Sequence, residues 1–377
     1  MKRRALAADI VVVGGGVMGT ASAWELARSG RRVLVLERSV PGAEASSAAA
    51  GILGAQVEAH APGPLVGLAR ESRRLYPAWV RALERATGID TGYRECGVLK
   101  VAFRTAELSR LEREVAWQKP RPRLLGSRAL TQREPALSAR LKGGLAFDGD
   151  ARIEPRLLFR ALHIAAARAG VVFRSGAYVR RVVTEAGRAV GVALDDGSVI
   201  RAAHVLVAAG SWTSLVEGLG IPPGVVVPAR GQIVELETPE PLLKSVVFGP
   251  RAYLVPRDDG RLLVGSTMEF VGYLREVTAA AVRDLLTAAI ELVPALGAAS
   301  MKESWSSFRP YTKDELPLIG ACGVPGLWLA SGHHRNGILL APVTAAIVGA
   351  LVRGRRPPVA LAPFAPGRPL TGRPSML

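Results

Sequence analysis

The chain opens with a short apolar run that leads through a glycine-rich turn into an amphipathic segment. Residues 10–13 are all apolar, and Gly14, Gly16 and Gly19 follow at the spacing G-x-G-x-x-G. The apolar run predicts a buried strand, and the segment after the turn predicts a helix. A second apolar run at 33–36 predicts another strand. The chain is therefore expected to begin with a β-α-β unit.

The glycines of this unit have a nucleotide-binding explanation. Gly14 permits the tight turn, Gly16 lets a pyrophosphate approach the backbone, and Gly19 lets the helix pack closely on the strand. The helix N-terminus, at Val17 and Met18, presents free N–H groups and a partial positive charge to phosphates. A glycine turn with no nucleotide is the alternative, but the strand before it and the helix after it favour a nucleotide.

An acidic residue, Glu37, ends the second predicted strand. Its carboxylate can accept hydrogen bonds from both ribose hydroxyls of a nucleotide, and its charge would repel a 2′-phosphate. The predicted ligand is therefore FAD or NAD, and not NADP.

The rest of the chain alternates between helical and strand patterns. Helices are predicted at 64–86, 108–117, 155–169, 279–292 and 338–351, and strands at 98–103, 170–173, 177–184, 189–194, 198–201, 204–210 and 302–308. Strand patterns also dominate 225–268, whereas the stretch up to Arg140 is polar. In the first of these helices, Leu68, Leu75, Trp79 and Leu83 are expected to face inward.

Small residues fill the segment between Pro41 and Gly54. Such a run is expected either to lay its backbone against something bulky and flat or to form an alanine-rich helix that packs closely on its neighbours. The small residues at 208–210, which end a predicted strand before Trp212, indicate a second contact between the sheet edge and the same ligand.

Composition narrows the class of protein. A chain of 377 residues that is 49% apolar is long enough for two domains. No apolar run is expected to span a membrane. Residues 1–13 are similar to a signal peptide, with basic residues before an apolar stretch, but Asp9 interrupts that stretch. A cytoplasmic protein is therefore predicted. Cys96 and Cys322 are too few and too far apart for a metal site or a disulfide scaffold.

The basic charge raises the possibility of nucleic-acid binding. The net charge is +17, from 49 Lys and Arg against 32 Asp and Glu, but the arginines are scattered along the chain without a long basic run. A solvated basic surface that modestly steers anionic substrates is the favoured interpretation. No nucleic-acid partner is expected.

Several further motifs occur in a characteristic order. They are the glycine turn, residues 46–54 with Gln56, Ala208-Ala209-Gly210, Tyr253-Leu254-Val255-Pro256-Arg257, Gly265-Ser266-Thr267-Met268, Phe308-Arg309-Pro310-Tyr311-Thr312-Lys313-Asp314 and Gly332-His333-His334-Arg335-Asn336-Gly337-Ile338. Over residues 8–353, this set resembles the FAD-dependent amino-acid oxidases related to D-amino-acid oxidase, and most closely the glycine oxidases of bacterial thiazole biosynthesis.

The resemblance implies an α/β fold with two domains. A Rossmann-like FAD-binding domain with a discontinuous chain would comprise 1–85, 144–220 and 306–353. An α+β substrate domain with an antiparallel sheet would comprise 86–143 and 221–305. A proline-rich tail at 354–377 is expected to be loosely ordered.

The resemblance also implies the residues of the site. Arg309 would bind a substrate carboxylate through two parallel hydrogen bonds, with Tyr253, Met268 and Arg335 beside it. The predicted cofactor contacts are Gly14, Gly16, Val17, Met18, Gly19, Glu37, Arg38, Ser46, Ser47, Ala49, Ala50, Gly51, Leu53, Val172, Ala208, Ala209, Gly210, Trp212, Arg309, His334, Arg335, Asn336, Gly337 and Ile338. His333 and His334 are interpreted as hydrogen-bonded loop residues and not as general bases.

The implied reaction is oxidation of glycine or another small amino acid or amine to an imine, with oxygen reduced to hydrogen peroxide. The imine would hydrolyse to a 2-oxo acid and ammonia or pass to thiazole synthase. FAD would be non-covalent, because no cysteine lies near Arg309, and a homo-oligomer is expected. The alternatives are a D-amino-acid dehydrogenase that reduces a quinone and a basic protein that binds nucleic acid.

Overall fold

The computed structural model describes residues 8–370, which form two eight-stranded sheets, a two-stranded ladder and surrounding helices. The helices are α1 (Val17–Arg28), α2 (Ala45–Ala48), α3 (Pro64–Thr87), α4 (Thr105–Val115), α5 (Ser127–Arg133), α6 (Pro155–Arg168), α7 (Ala279–Leu292) and α8 (Gly337–Val352). The strands before residue 208 are β1 (Ala8–Val13), β2 (Val33–Leu36), β3 (Ile52–Leu53), β4 (Val98–Ala102), β5 (Arg123–Gly126), β6 (Gly143–Phe147), β7 (Ala151–Arg152), β8 (Val172–Arg174), β9 (Val179–Glu185), β10 (Arg188–Leu194) and β11 (Val199–Val207). The remaining strands are β12 (Val227–Glu237), β13 (Val246–Phe248), β14 (Tyr253–Pro256), β15 (Arg261–Gly265), β16 (Ser300–Tyr311), β17 (Leu318–Ala321) and β18 (Leu327–Ser331).

The first sheet has the order β17-β18-β11-β1-β2-β8, with β10 paired to β11 and β9 to β10. Strand β1 pairs in parallel with β2 and β11, so that Val13 lies opposite both Leu36 and Val207. The carboxyl ends of these three strands therefore meet at one edge, where open α/β sheets bind their ligands. The predicted β-α-β start and the α/β class are confirmed.

The second sheet has the order β16-β12-β15-β14-β13-β4-β6-β5 and is antiparallel except where β13 runs parallel to β4. Helix α7 covers one face, since Leu285, Ala289 and Leu292 pack with Val234 and Leu254 in one buried cluster. Its other face is turned toward the first sheet, where β16 and β12 reach the ligand edge.

Helix α8 lies in the core between α1 and α3. The Ser72 hydroxyl donates to the Leu339 carbonyl at 2.6 Å, and the Tyr76 hydroxyl donates to the Ile338 carbonyl at 3.0 Å. By length and composition alone, His334–Val352 is apolar enough to cross a membrane, which differs from the sequence expectation. However, 72% of this stretch is buried inside the protein, as is usual for the central helix of a packed core.

Some predicted elements differ from those observed. The third strand of the predicted meander and the strand after it are one strand, β11, which passes from the meander into the parallel sheet. The polar stretch up to Arg140 contains β5 and α5, which were not predicted because their exposed residues lack a clear apolar period. On α3, Leu68 and Leu83 are buried as expected, and Tyr76 and Val80 are buried with them. Leu75 and Trp79 lie half-buried at the edge of the core.

Sheet membership departs from the predicted domain boundaries at two points. Residue 144 falls inside β6 and residue 306 inside β16, and both strands belong to the second sheet. The tail is better ordered than expected as far as residue 370, because Phe364 is buried and Arg368 pairs with Asp314 at 2.8 Å. Residues 1–7, with part of the signal-like start, and 371–377 of the tail lie outside the described residues.

Candidate active site

A deep cleft runs between the ligand edge of the first sheet and the inner face of the second. It encloses about 1680 Å³, including the space at its mouth, and residues of both sheets line it. Its lining runs from the glycine turn at Gly14 to Arg309 and Arg335, so the cleft accommodates an elongated ligand.

The glycine turn lies at one end of the cleft and has no room for side chains. A Cβ on Gly14 would lie 2.5 Å from the Ala208 carbonyl oxygen, and the φ of Gly14 is +102°, a conformation that favours glycine. A Cβ on Gly19 would lie 1.9 Å from the Gly14 carbonyl oxygen. The turn and the helix that follows it therefore approach each other as the sequence predicts.

The backbone N–H groups that begin α1 face a hydroxyl-bearing side chain. The Val17 N–H donates to Ser46 Oγ at 2.8 Å, and a Cβ on Gly16 would lie 3.1 Å from that oxygen. A helix N-terminus that lies beside a glycine backbone and a serine hydroxyl is suited to binding a phosphate group.

Glu37 lies close to the same turn at the end of β2. One carboxylate oxygen accepts from the Gly15 N–H at 2.8 Å and the other accepts from the Ser39 N–H at 2.9 Å. These bonds fix the carboxylate while leaving lone pairs for ribose hydroxyls. The glycine turn, the start of α1 and Glu37 together fit a dinucleotide such as FAD.

The small-residue segment between Pro41 and Gly54 forms a wall of the cleft. This supports the interpretation that its backbone lies against a bulky, flat ligand. Only Ala45–Ala48 is helical, so the alanine-rich helix is wrong beyond one turn. Buried Arg257 holds the segment by donating to the Ala50 carbonyl at 2.8 Å, and its own charge is paired with Glu154 at 2.7 Å. The Trp305 indole N–H also donates to the Ala48 carbonyl at 3.0 Å.

Arg309 lies on β16 toward the other end of the cleft. Its Nη1 donates to the Thr267 carbonyl at 3.0 Å and its Nη2 donates to Ser266 Oγ at 2.5 Å. Burial lowers the pKa of Arg309 from its ordinary value, while Tyr253 raises it. A guanidinium nevertheless stays protonated in proteins, so a cation lines the cleft here. Tyr253 lines the cleft as well.

A second arginine adds positive charge to the same region. Arg335 precedes α8, and its Nε lies 3.3 Å from a carboxylate oxygen of Glu58. Both side chains line the cleft. The N-terminus of α8, at Gly337 and Ile338, also lines it and contributes a partial positive charge.

The two histidines before α8 are buried and neutral. Burial lowers the pKa of each to about 3, and for His334 the charges of Arg309 and Arg335 act in the same direction. His333 Nε2 lies 3.1 Å from Thr344 Oγ1, which agrees with a hydrogen-bonded loop residue. Within residues 8–370, His334 Nε2 has no hydrogen-bond partner, so for His334 the hydrogen-bonded interpretation stays a prediction.

The structure brings most predicted site residues to the cleft. Those that line it are Gly14, Gly16, Val17, Met18, Glu37, Arg38, Ser46, Ala49, Ala50, Gly51, Ala208, Ala209, Gly210, Trp212, Tyr253, Arg309, His334, Arg335, Gly337 and Ile338. Those outside its lining are Gly19, Ser47, Leu53, Val172, Met268 and Asn336.

Two of these residues need correction. Val172 lies on edge strand β8 with 47% of its surface exposed, and Val179 at the start of β9 lines the cleft instead. Met268 is half-buried outside the lining, whereas Ser266 of the same motif lines the cleft and contacts Arg309.

Sequence reasoning also missed several lining residues. Glu44 and Glu58 were not singled out, although each lies within or just after the small-residue segment, where a charged side chain is unusual. Gly231 faces Arg309 from β12, and nothing in the local sequence marks it because the contact is made across strands.

The fold and the cleft define a dinucleotide-binding protein with a buried guanidinium, that of Arg309, toward the far end of the cleft. Residues 9–351 match the family described as FAD dependent oxidoreductase (DAO), and the chain belongs to that family. The family settles the choice between FAD and NAD, and the cofactor is FAD. Neither Cys96 nor Cys322 lines the cleft; non-covalent attachment remains a prediction.

Named relatives agree with this assignment. Glycine oxidase of Geobacillus kaustophilus is 39% identical over 94% of this chain and 96% of the relative. A crystal structure of glycine oxidase from that organism matches with a TM-score of 0.92, at 37% identity, over 97% of this chain and all of the other. Iminodiacetate oxidase from Chelativorans sp. BNC1 matches with a TM-score of 0.87, at 28% identity, over 95% of this chain and 99% of that one.

A bifunctional protein, ThiO/ThiG of Nostoc sp., is 39% identical over 91% of this chain but only 52% of its own length. The chain therefore spans about half the length of the bifunctional relatives that it matches.

Proposed function

We propose that the protein is an amino-acid oxidase that uses FAD to oxidise glycine, or another small amino acid or amine, with oxygen as the electron acceptor. The observation that carries this proposal is that Arg309 lines the cleft as a cation without an acidic partner among residues 8–370. Its guanidinium contacts a carbonyl and a hydroxyl, and within residues 8–370 it makes no ion pair. A cation at the wall of a largely apolar cleft is suited to an anionic group of the substrate.

A substrate carboxylate on Arg309 would form two parallel hydrogen bonds, which fix its orientation as well as its affinity. Tyr253 lies at the same place and supplies a hydroxyl donor. With the carboxylate held, the Cα–H bond of a small amino acid is directed along the cleft and does not rotate freely. Bound FAD would accept two electrons from this carbon and pass them to oxygen.

The reaction balances as glycine, oxygen and water giving glyoxylate, ammonia and hydrogen peroxide. The substrate amine must be unprotonated to lose its electrons, and the positive charge of Arg309 favours loss of that proton. The charge of Arg335 is already paired with Glu58. Neutral His334 does not add a third positive charge. The start of α8 supports negative charge that accumulates in the cleft during the reaction.

The names of the relatives support this reaction over its alternatives. Glycine oxidase of Geobacillus kaustophilus matches along almost its whole length. L-proline dehydrogenase of P. horikoshii is a structural neighbour at 20% identity, which shows the fold alone. A quinone-linked dehydrogenase is therefore not favoured.

We further propose a role in thiazole biosynthesis, which the bifunctional relatives support. In Nostoc sp., a part similar to this chain belongs to a protein named ThiO/ThiG. We expect the product imine of this protein to serve a thiazole synthase in the cytoplasm. Homo-oligomer formation also stays a prediction.

The proposal is tested with purified protein and a panel of glycine, sarcosine, D-alanine and D-proline. Glycine should bleach the flavin absorbance without oxygen, and air should restore it with one hydrogen peroxide per turnover. A flavin that is reduced by the substrate but stays reduced in air would favour the dehydrogenase.

A further inference from the structure

A segment of the second sheet crosses over to the first. Residues 269–276, here called the strap, follow β15 and precede α7. Phe270 and Leu274 in the strap are each 56% exposed, so the strap is not held by an apolar core of its own.

Buried Arg230 on β12 fastens both ends of the strap. Its Nε donates to the Glu269 carboxylate at 3.0 Å, and its Nη1 donates to the Leu274 and Glu276 carbonyls at 3.3 and 3.0 Å. The Ser306 hydroxyl also donates to the Arg275 carbonyl at 2.6 Å. The strap therefore has a fixed base on the second sheet, and the side chains at its tip project from a defined position.

The tip contacts residues attached to the first sheet. Arg275 Nη2 lies 2.6 Å from both carboxylate oxygens of Glu44. The Tyr273 hydroxyl donates to the Ser211 carbonyl at 2.7 Å, and its ring stacks on Trp212 with centroids 5.4 Å apart.

These contacts cover the nucleotide part of the cleft. Glu44, Ser211 and Trp212 all line it. Arg38, the residue after the ribose-binding Glu37, lies with its guanidinium 3.8 Å from the Trp212 ring centroid and pairs with Glu44 as well. The strap tip thus contacts side chains at the nucleotide end of the cleft, where the adenosine half of FAD would lie.

We propose that the Glu44–Arg275 ion pair is a latch that retains FAD, so that the Arg275 side chain must swing away from Glu44 before the cofactor leaves or enters. The inference rests on FAD being the cofactor and does not depend on which amine is oxidised. The alternative is an ordinary surface ion pair without influence on the cofactor. The Arg275 side chain is 51% exposed and that of Glu44 is 25% exposed, so the expected effect is modest.

The test measures the release of FAD from the diluted holoenzyme by the rise of free-flavin fluorescence. Arg275→Ala should release FAD about two- to five-fold faster than the wild type, the range expected for a solvent-exposed ion pair. Arg201→Ala is the matched control, because Arg201 makes a similar exposed two-contact pair with Glu185 away from the cleft. Its release rate should stay at the wild-type value.

Glu44→Ala breaks the ion pairs of Glu44 with both Arg38 and Arg275. The double variant Glu44→Ala/Arg275→Ala therefore separates the effect of the Arg275 pair from that of the Arg38 pair. If the pair acts as proposed, adding Arg275→Ala to Glu44→Ala should accelerate release little further. High salt should likewise speed release from the wild type and have less effect on Arg275→Ala. Equal release from Arg275→Ala and wild type, or multiplicative effects in the double variant, would overturn the latch, whether or not glycine is a substrate.

Discussion

Gly231 on β12 faces the guanidinium of Arg309 on β16, and a Cβ on Gly231 would lie 2.3 Å from Arg309 Nη1. The two residues are not register partners, since Arg309 pairs with Ala229. The side chain of Arg309 therefore lies diagonally across β12, in a space that exists only because residue 231 has no side chain.

Gly231→Ala should displace the guanidinium without changing its charge. A shift of about 1 Å in a substrate-binding group costs roughly 10²-fold in rate, so kcat/KM for glycine should fall by about that factor. Flavin content should stay at the wild-type level. Gly67→Ala on α3, where a Cβ meets nothing within 4 Å, serves as the control. Wild-type kinetics for Gly231→Ala would show that Arg309 does not need this position.

Arg309→Ala should weaken catalysis because it removes the proposed carboxylate ligand. The loss in kcat/KM should correspond to about 2–4 kcal/mol, with flavin content intact. Arg309→Lys keeps the charge but not the planar pair of donors, so its loss should be smaller but still clear. If all three proteins had equal kinetics with glycine, Arg309 would have no role in binding the substrate.

Glu37→Ala should weaken FAD binding because the carboxylate holds the Gly15 N–H and is placed for the ribose. A loss of about 1–3 kcal/mol is expected for such hydrogen bonds to a charged group. Titration of the apoprotein with FAD measures it, and KM for glycine at saturating FAD should change little. Glu185→Ala, on the exposed pair with Arg201, is the control. Unchanged FAD affinity in Glu37→Ala would contradict this role.

The pH dependence of stability should report buried His334. Its pKa is about 3 in the folded protein, while the ordinary value is 6.5. Between these two values the unfolded chain binds one proton more, so the free energy of unfolding falls as the pH falls below 6.5. From pH 7 to pH 5 the loss should be about 2 kcal/mol for this group.

His334→Phe keeps a ring of similar size and removes the titration. Urea unfolding at pH 7 and pH 5 should therefore show a smaller decrease for this variant than for the wild type, by about 2 kcal/mol. The same decrease in both proteins would show that His334 is not buried as a neutral group.

The nucleotide half of the site could be predicted because its determinants are local in sequence. Gly14, Gly19 and Glu37 lie within one β-α-β unit, and their spacing alone fixes how they meet. The buried runs of β1 and β2 were equally clear.

The substrate half depends on contacts between distant segments. Arg309 was found from its motif, but Gly231 and Glu58 reach the same cleft from other parts of the chain. Val172 was predicted to line the cleft, but Val179 does so. The sequence does not show which residue of this edge of the sheet lies beside the ligand. The strap was missed because Arg275 and its partner Glu44 are 231 positions apart in the sequence.

The central claim is that small amino acids reduce a flavin bound in this cleft and that oxygen reoxidises it. The most direct measurement is anaerobic mixing of the yellow holoenzyme with glycine in a stopped-flow spectrophotometer, followed by mixing with oxygenated buffer. Loss of the flavin band with glycine, and its return with one equivalent of hydrogen peroxide, is the result expected. A flavin band that none of the small amino acids or amines bleaches would contradict the account.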